Sequence, residues 1–198
     1  MLKVGDHAPE IDAVTSTGER FVLSAQTAIC TVVYFFPKAF TPGCTRETRN
    51  FTENHNELVL AGASIVGVST DDGETQCEFA RQTGATFPLV SDAGKRIGKA
   101  YDVLFPLIGI AKRVTYVIGA DRTILAVFHD GFEVEPHRDG VLAFVHAYCD
   151  AVRAKSQELW SAALAASSTP TLAAPTALAV TAPTPTKAGA AAPMPSKS

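Results

Sequence analysis

Two short apolar runs constrain the fold of this chain most: Thr31–Phe36, which consists of β-branched and aromatic residues, and Ser64–Ser69. Neither run alternates apolar with charged residues, so each is predicted to be a strand that is buried on both faces. Between them, from about Pro42 to Leu60, large side chains recur at a helical spacing. Buried strands that alternate with helices indicate an α/β protein whose sheet is covered by helices.

The later part of the chain continues this alternation and then changes it. Asp71, with Glu74 three residues later, predicts the start of a second helix, which runs to Gly84. The full order is β-α-β-α, a β-hairpin and a helix, which predicts a three-layer α/β/α arrangement. Its central sheet is mixed, and the last pair of strands is antiparallel. The other predicted elements are a short strand at Pro88–Val90, a short helix at Gly94–Tyr101, hairpin strands at Val114–Ile118 and Thr123–Phe128, and a last helix from about Arg138 to Lys155.

Composition divides the chain into one folded domain, residues 1–157, and a tail, residues 158–198. From Trp160 to Ser198 the sequence is almost wholly Ala, Thr, Pro and Ser, and it holds six of the twelve prolines. Such a stretch lacks the large apolar side chains that are needed to offset the entropy cost of ordering it. We therefore expect a disordered tail, which is either a tether or a solvated segment without a specific function.

Charge and hydropathy argue against two classes of partner. The formal net charge is −3, the pI is about 5.9, and the sequence has no basic stripe suited to a phosphate backbone. The longest apolar run, Val103–Ala111, is interrupted by Pro106 and is too short to span a bilayer. The first residues lack the apolar segment of a signal peptide, so we expect a cytoplasmic protein that binds neither nucleic acid nor membrane.

The four cysteines, Cys30, Cys44, Cys77 and Cys149, include no CxxC pair. A structural zinc site or a disulfide reductase of the CxxC type is therefore not expected. Cytoplasmic thiol systems keep cysteines reduced, so a structural set of disulfides is not expected either. The cysteines are thus predicted to be buried or reactive thiols. Cys30, before a core strand, and Cys149, in the last helix, are predicted to be structural.

The segment Pro37–Glu47 leaves the carboxyl end of the first buried strand and enters a helix, the usual place for chemistry in an open α/β sheet. Thr41 is predicted to be the N-cap, with its hydroxyl near the sulfur of Cys44, and Pro42 the first helical residue. Gly43 lets the backbone approach a small ligand. Cys44 falls in the first turn, where unpaired N–H groups and the helix dipole favour an anion. A thiolate is the nucleophilic form of cysteine, and a peroxide is small enough for such a site.

These residues resemble the active site of a known family. The spacing Pro37-x-x-x-Thr41-x-x-Cys44 resembles the PxxxTxxC pattern of peroxiredoxins. The wider segment looks like their Q-type (bacterioferritin-comigratory-protein) branch. Two further stretches, Gly5–Pro9 and Phe87–Asp92, are similar to the opening GDxAP and the FPLLSD segment of that family.

The resemblance, over about residues 1–150, implies a thioredoxin-like fold and a thiol peroxidase that reduces hydrogen peroxide and organic hydroperoxides without a metal or other cofactor. It also implies a cysteine sulfenic acid, which a thioredoxin-like protein or a low-molecular-weight thiol recycles. By this resemblance, Cys44 is the attacking cysteine, Pro37 shields it and Thr41 positions the peroxide. Arg113 holds the thiolate and polarises the O–O bond. Gly43 and Glu47 take part in substrate binding, and Glu47 also orients an arginine.

The chain departs from the Q-type pattern at the resolving cysteine. Many members carry that residue five positions after the attacking cysteine, where this chain has Arg49. Others place it in the helix after the second core strand, at a position that corresponds to Ala80. Cys77 lies three residues before Ala80 and so on the same face of that helix. Cys77 is either a catalytic, resolving cysteine or a residue that only packs.

The sequence leaves the oligomeric state and one rival function open. Val103–Ala111 is apolar enough for a dimer contact but also suits a loop that covers the core, so either a monomer or a homodimer is expected. The rival function is that of a non-catalytic redox sensor or binding protein, which keeps the fold and uses oxidation of Cys44 as a signal.

Overall fold

A computed structural model describes residues 1–129 and 134–167 of the chain. It contains seven strands and five α-helices, numbered here in chain order. The strands are β1 (Asp12–Val14), β2 (Arg20–Val22), β3 (Cys30–Phe35), β4 (Ala63–Ser69), β5 (Leu89–Ser91), β6 (Val114–Gly119) and β7 (Ile124–Phe128), and the helices are α1 (Pro42–Glu53), α2 (His55–Ala61), α3 (Gly73–Thr83), α4 (Arg96–Ala100) and α5 (Val134–Ser167).

Five of the strands form a mixed sheet in the order β5-β4-β3-β6-β7. Strand β3 is parallel to β4 and antiparallel to β6, and β6 and β7 form the antiparallel hairpin that the sequence predicts. All six residues of β3 are buried, because the strand lies in the middle of the sheet and is covered on both faces. The predicted α/β fold with a mixed central sheet is therefore confirmed, and it is thioredoxin-like. The short hairpin of β1 and β2 was not predicted.

The hydrophobic core lies on both faces of the sheet. Successive residues of β3 alternate between the faces, so that Val32 and Tyr34 pack with α1, α2, α3 and α5. Val33 and Phe35 pack on the opposite face with α4 and the N-terminal segment. This arrangement places the end of β3 and the start of α1 above a fully packed core, which gives the loop between them a rigid base.

Two helix boundaries differ from the predicted ones. The helix predicted from Pro42 to Leu60 is broken at Asn54, whose φ of −100° and ψ of 5° interrupt the helix. The Asn54 amide donates a hydrogen bond to the carbonyl of Asn50, and such local bonds compete with regular helix. Helix α3 is capped by Asp72, whose side chain accepts a hydrogen bond from the N–H of Thr75. Asp71, predicted to start this helix, has a different function in the fold.

Helix α5 is longer at both ends than the predicted helix Arg138–Lys155. Residues 158–167, which were expected to belong to the disordered tail, continue α5 instead. The reason is that this stretch is rich in Ala and Leu, which favour helix, and contains no proline. Leu159, Trp160 and Leu164 are exposed along this extension. The rest of the predicted tail, residues 168–198, lies outside the described residues.

Candidate active site

The candidate site is built on the turn between β3 and α1, residues 36–41, which is called the active-site turn below. Thr41 has the extended backbone of an N-cap (φ −74°, ψ 149°), and Pro42 is the first residue of the helix, as the sequence predicts. Cys44 is therefore the third residue of α1, in the turn whose N–H groups have no partner within the helix. The Thr41 hydroxyl does not cap the helix and donates instead to the carbonyl oxygen of Lys38, at 3.0 Å. Cys44 is 1% exposed, and Pro37 is half-buried in the turn before it.

Strand register brings Arg113 to the sulfur of Cys44. Phe35, the last residue of β3, pairs with Val114, the first residue of β6, so Arg113 lies beside the turn that leads to α1. The Nη2 of Arg113 is 3.5 Å from the Sγ of Cys44, and the arginine side chain is only 9% exposed. A guanidinium that is largely removed from water stabilises an adjacent thiolate more strongly than an exposed one would.

Glu47 lies one turn along α1 from Cys44 and pairs with the same arginine. The Nη1 of Arg113 donates to its Oε2, and both side chains are buried. Burial raises the pKa of the Glu47 carboxyl to about 7, although the neighbouring Arg113 charge acts to lower it. Within the described part of the chain, Oε1 of Glu47 has no hydrogen-bond partner. The pair fixes the guanidinium so that its other nitrogen faces the sulfur.

Gly43 is constrained by the arginine as well as by any ligand. A Cβ atom at this position would lie 3.0 Å from the Nη2 of Arg113, closer than most contacts that Cβ atoms make in proteins. Glycine therefore leaves the room in which the guanidinium approaches Cys44. The structure thus brings Cys44, Gly43, Glu47 and Arg113 together, as expected, and places Pro37 and Thr41 in the adjoining turn.

Sequence reasoning missed the residue that holds this turn. The carboxylate of Asp71 is 1% exposed and accepts hydrogen bonds from the Ala39 N–H at 2.7 Å and from the Lys38 Nζ at 2.5 Å. Asp71 follows the carboxyl end of β4, and β4 is the parallel neighbour of β3. Loops that follow adjacent parallel strands meet at one edge of a sheet, so this position was the signal that could have identified Asp71.

Cys77 faces away from the turn that carries Cys44. Its thiol is exposed and donates to the carbonyl of Ser16, in the turn between β1 and β2, at 3.2 Å. Phe79, two positions later and so on the other side of α3, packs its ring on Phe40 of the active-site turn at a centroid distance of 5.3 Å. In this reduced form, therefore, the Cys77 thiol lies on a different face of α3 from the one that packs against the turn leading to Cys44.

Cys30 and Cys149 form a second, separate thiol pair. Their sulfur atoms are 3.7 Å apart in the core, at the end of β3 opposite to Cys44. Burial raises the pKa of both thiols, which keeps them in the protonated and unreactive form.

Residues 1–129 and 134–167 lack the side-chain grouping of a metal site and the kind of helix that crosses a membrane. No three His, Cys, Asp or Glu side chains in these ranges are grouped closely enough to hold a metal ion. No helix in the same ranges has the length and apolar character that crossing a bilayer requires.

Comparison with known proteins agrees with this geometry. The family model described as AhpC/TSA matches residues 4–127. A putative peroxiredoxin of Mycobacterium tuberculosis is 35% identical over 150 residues, which cover 74% of this chain and 97% of the relative. Peroxiredoxin Bcp of Escherichia coli is 34% identical over 154 residues, or 71% of this chain and 94% of the relative.

Solved structures give the same result for the fold. The crystal structure of peroxidoxin BcpB from Mycobacterium tuberculosis superimposes with a TM-score of 0.70 at 34% identity, over 74% of this chain and 98% of that one. A structure of peroxiredoxin Q from Xanthomonas campestris superimposes with a TM-score of 0.65 at 32% identity, over 70% of this chain and 91% of that one.

Proposed function

Since the chain belongs to the AhpC/TSA family of peroxiredoxins, we propose that Cys44 is the attacking thiol of its thiol-dependent peroxidase activity. The observation that carries the proposal is the 3.5 Å contact between the Arg113 guanidinium and the Cys44 sulfur at the first turn of α1. Two independent sources of positive potential, the helix N-terminus and a buried guanidinium, converge on that one sulfur. The site thereby favours a thiolate and can also stabilise negative charge that develops on a departing oxygen.

The reaction that fits these groups is a displacement at oxygen. The Cys44 thiolate attacks the terminal oxygen of a hydroperoxide, the S–O bond forms and the O–O bond breaks. The sulfur is oxidised to a sulfenic acid, and the leaving oxygen takes up a proton and departs as water or an alcohol. Arg113 acts on the reacting atoms by charge, Gly43 gives it room, and Glu47 holds it in place. Thr41 positions the peroxide, and Pro37 shields the sulfur from bulk water.

The proposed substrates are hydrogen peroxide and organic hydroperoxides. A structure of the related Xanthomonas campestris bacterioferritin comigratory protein is described in terms of its alkyl peroxide reduction activity. The side chain of Phe105, which is partly exposed and lines the same surface pocket as Arg113, supports an alkyl group on the substrate of this chain as well. We propose no cofactor, because sulfur and peroxide exchange both electrons directly.

Recycling of the sulfenic acid has two proposed routes. In one, Cys77 attacks the Cys44 sulfenic acid, water leaves, and a thioredoxin-like protein reduces the resulting disulfide. In the other, an external thiol attacks Cys44 directly, and a second thiol releases the mixed disulfide. The thiol of Cys77 points toward Ser16, whereas Cys44 is buried in the first turn of α1. A disulfide needs Cα atoms about 4.4–6.8 Å apart, so in the first route we expect the first turn of α1 to unwind before the bond forms.

Mutation of each cysteine tests the assignment. Cys44→Ser is expected to abolish peroxide consumption while the melting temperature stays unchanged, whereas the matched variant Cys30→Ser is expected to remain active. Activity that survives in Cys44→Ser would overturn the proposed mechanism. Turnover with a reductant also separates the enzyme from a redox sensor, since a sensor would consume a single equivalent of peroxide.

Peptide mapping after one equivalent of peroxide distinguishes the two routes. A Cys44–Cys77 linkage, with thioredoxin-supported turnover lost in Cys77→Ser, establishes the two-cysteine cycle. A sulfenic acid without a linkage, with full turnover of Cys77→Ser on a small thiol, establishes a one-cysteine enzyme.

The cytoplasmic location and the oligomeric state stay predictions. Leu107, which is 99% exposed, and its neighbour Ile108 lie in the apolar run Val103–Ala111 and support a homodimer over a monomer. Light scattering during gel filtration measures the oligomeric state, and cell fractionation measures the location.

A further inference from the structure

The carboxylate of Asp71 is buried at the edge of the active-site turn. Its Oδ2 accepts from the Ala39 N–H at 2.7 Å and from the Ser69 hydroxyl at 2.9 Å, and its Oδ1 accepts from the Lys38 ammonium at 2.5 Å. Lys38 is largely exposed, whereas Asp71 is not. Hydrogen bonds to a charged, buried acceptor are stronger than those between neutral groups, so this carboxylate holds the turn firmly.

The hydrogen bond from Ala39 to Asp71 affects the Thr41 hydroxyl, because one peptide group takes part in this bond and in the hydrogen bond that Thr41 makes. The N–H of the Lys38–Ala39 peptide donates to Asp71, and the carbonyl of the same peptide accepts the Thr41 hydroxyl at 3.0 Å. The orientation of that planar group therefore fixes both bonds. With its proton committed to the Lys38 carbonyl, the Thr41 oxygen is left with lone pairs that can accept a proton donor, such as the O–H of a hydroperoxide.

The turn needs such a support because its backbone is strained. Phe40, between the held peptide and Thr41, has a φ of +63°, which non-glycine residues rarely adopt. A strained residue persists only where its surroundings determine its conformation. Here the segment after β4 supplies both restraints: Asp71 holds the peptide before Phe40, and Phe79 of α3 packs against its ring at 5.3 Å.

We propose that Asp71 is a positioning residue for peroxide reduction. It acts through the Lys38–Ala39 peptide and orients the Thr41 hydroxyl as a hydrogen-bond acceptor for the incoming hydroperoxide. Asp71 itself does not touch the reacting atoms. The inference rests on the roles proposed above for Cys44 and Thr41.

A double-mutant cycle between Asp71 and Thr41 tests this directly, with the second-order rate of Cys44 oxidation by hydrogen peroxide as the readout. Asp71→Asn keeps the shape of the side chain but removes its charge and one acceptor, and is expected to slow oxidation about tenfold. Thr41→Val removes the hydroxyl and is also expected to be slow. The double variant should be no slower than Thr41→Val alone, because Asp71 has no other path to the substrate. Asp71→Asn should keep its full effect in the background of Thr41→Ser, which retains a hydroxyl.

Asp72→Ala is the matched control for a loss of stability. Asp72 is the neighbouring residue and caps α3, so its removal lowers the melting temperature without touching the turn. Its rate of oxidation is expected to equal that of the wild type. Ser69→Ala removes one hydrogen bond to the Asp71 carboxylate but keeps the carboxylate itself. It is expected to slow Cys44 oxidation less than Asp71→Asn does, and to have no effect in the background of Thr41→Val. This variant decides the question if Asp71→Asn does not fold.

Three results would overturn the inference. The first is a wild-type rate of Cys44 oxidation in Asp71→Asn, or in Ser69→Ala if Asp71→Asn does not fold. The second is a double variant whose slowing equals the product of the slowing in Asp71→Asn and in Thr41→Val, and the third is that Asp72→Ala slows oxidation as much as Asp71→Asn does. Failure of the proposed function has a different signature. In that case Cys44→Ser would consume peroxide like the wild type, whereas failure of this inference leaves Cys44→Ser inactive.

Discussion

Ionisation of Glu47 is expected to destabilise the fold, and the pH dependence of stability measures by how much. Burial raises the pKa of this carboxyl from its ordinary value of 4.5 to about 7. A carboxyl whose pKa is raised on folding binds its proton more tightly in the folded state. The stability that it contributes is therefore fully present below about pH 4.5 and is lost as the pH rises to about 7. At roughly 1.4 kcal/mol per pH unit, this interval corresponds to a loss of about 3 kcal/mol.

Glu47→Gln isolates this effect because glutamine has the same shape and does not titrate. Leaving Arg113 beside a neutral amide shifts the stability of the variant by an amount that does not depend on pH. Urea denaturation of both proteins at pH 5, 6, 7 and 8, with a reductant present, gives the difference in the free energy of unfolding. Because part of the loss has already occurred at pH 5, the wild type is expected to lose about 2.5 kcal/mol relative to Glu47→Gln between pH 5 and pH 8, most of it below pH 7.

The same titration should appear in catalysis. The ionised carboxylate is the form that holds Arg113 by charge, so the peroxide rate of the wild type should approach that of Glu47→Gln as the pH falls below about 7. A stability difference that stays constant from pH 5 to pH 8 would refute the reasoning, because it would mean that the carboxyl titrates at the same pH in the folded and unfolded chains.

Three further predictions concern the arginine, the other cysteines and the tail. Arg113→Lys keeps a charge but loses the planar guanidinium, and Arg113→Met loses both. The rate of peroxide reduction should therefore fall in both variants, and further in Arg113→Met. A wild-type rate in Arg113→Met would mean that another group stabilises the thiolate. In native protein treated with an alkylating reagent, Cys77 should react first, and Cys30 and Cys149 only on unfolding, as measured by mass spectrometry; early labelling of the buried pair would contradict the packing of α5 on β3. Removing residues 168–198 should leave the melting temperature and turnover unchanged, and a large fall in either would show that the tail contacts the domain.

Much of the fold was predictable because its central strands are buried on both faces. Such strands are continuous apolar runs, and a run of this kind identifies a strand in the middle of a sheet without knowledge of its neighbours. The start of α1 was predictable for a local reason, since Thr41 and Pro42 suit the N-cap and first position of a helix. The three-residue strands β1 and β2 carry no such signal, because their pairing depends on contacts with the rest of the domain.

The predicted cap at Asp71 and the predicted end of α5 were wrong for the same physical reason. In both places the local sequence is compatible with two structures. Asp71 and Asp72 can each cap a helix. The choice between them is made by the Ala39 N–H, which comes from a distant part of the chain and occupies Asp71. In residues 158–167, alanine suits both a low-complexity tail and a helix, and the helix continues. The roles of the site residues stay predictions.

The exposed end of α5 has a consequence for spectroscopy. Trp160, the single tryptophan of the chain, is 69% exposed on that extension, so water already surrounds most of its indole in the folded protein. Its emission should therefore change little when Cys44 is oxidised, and stopped-flow fluorescence of the natural protein would not detect the reaction. Phe40→Trp would place an indole in the active-site turn against Phe79, and Trp160→Phe would remove the background. With both substitutions, oxidation of Cys44 would be measurable as a change in the fluorescence emission of the new tryptophan.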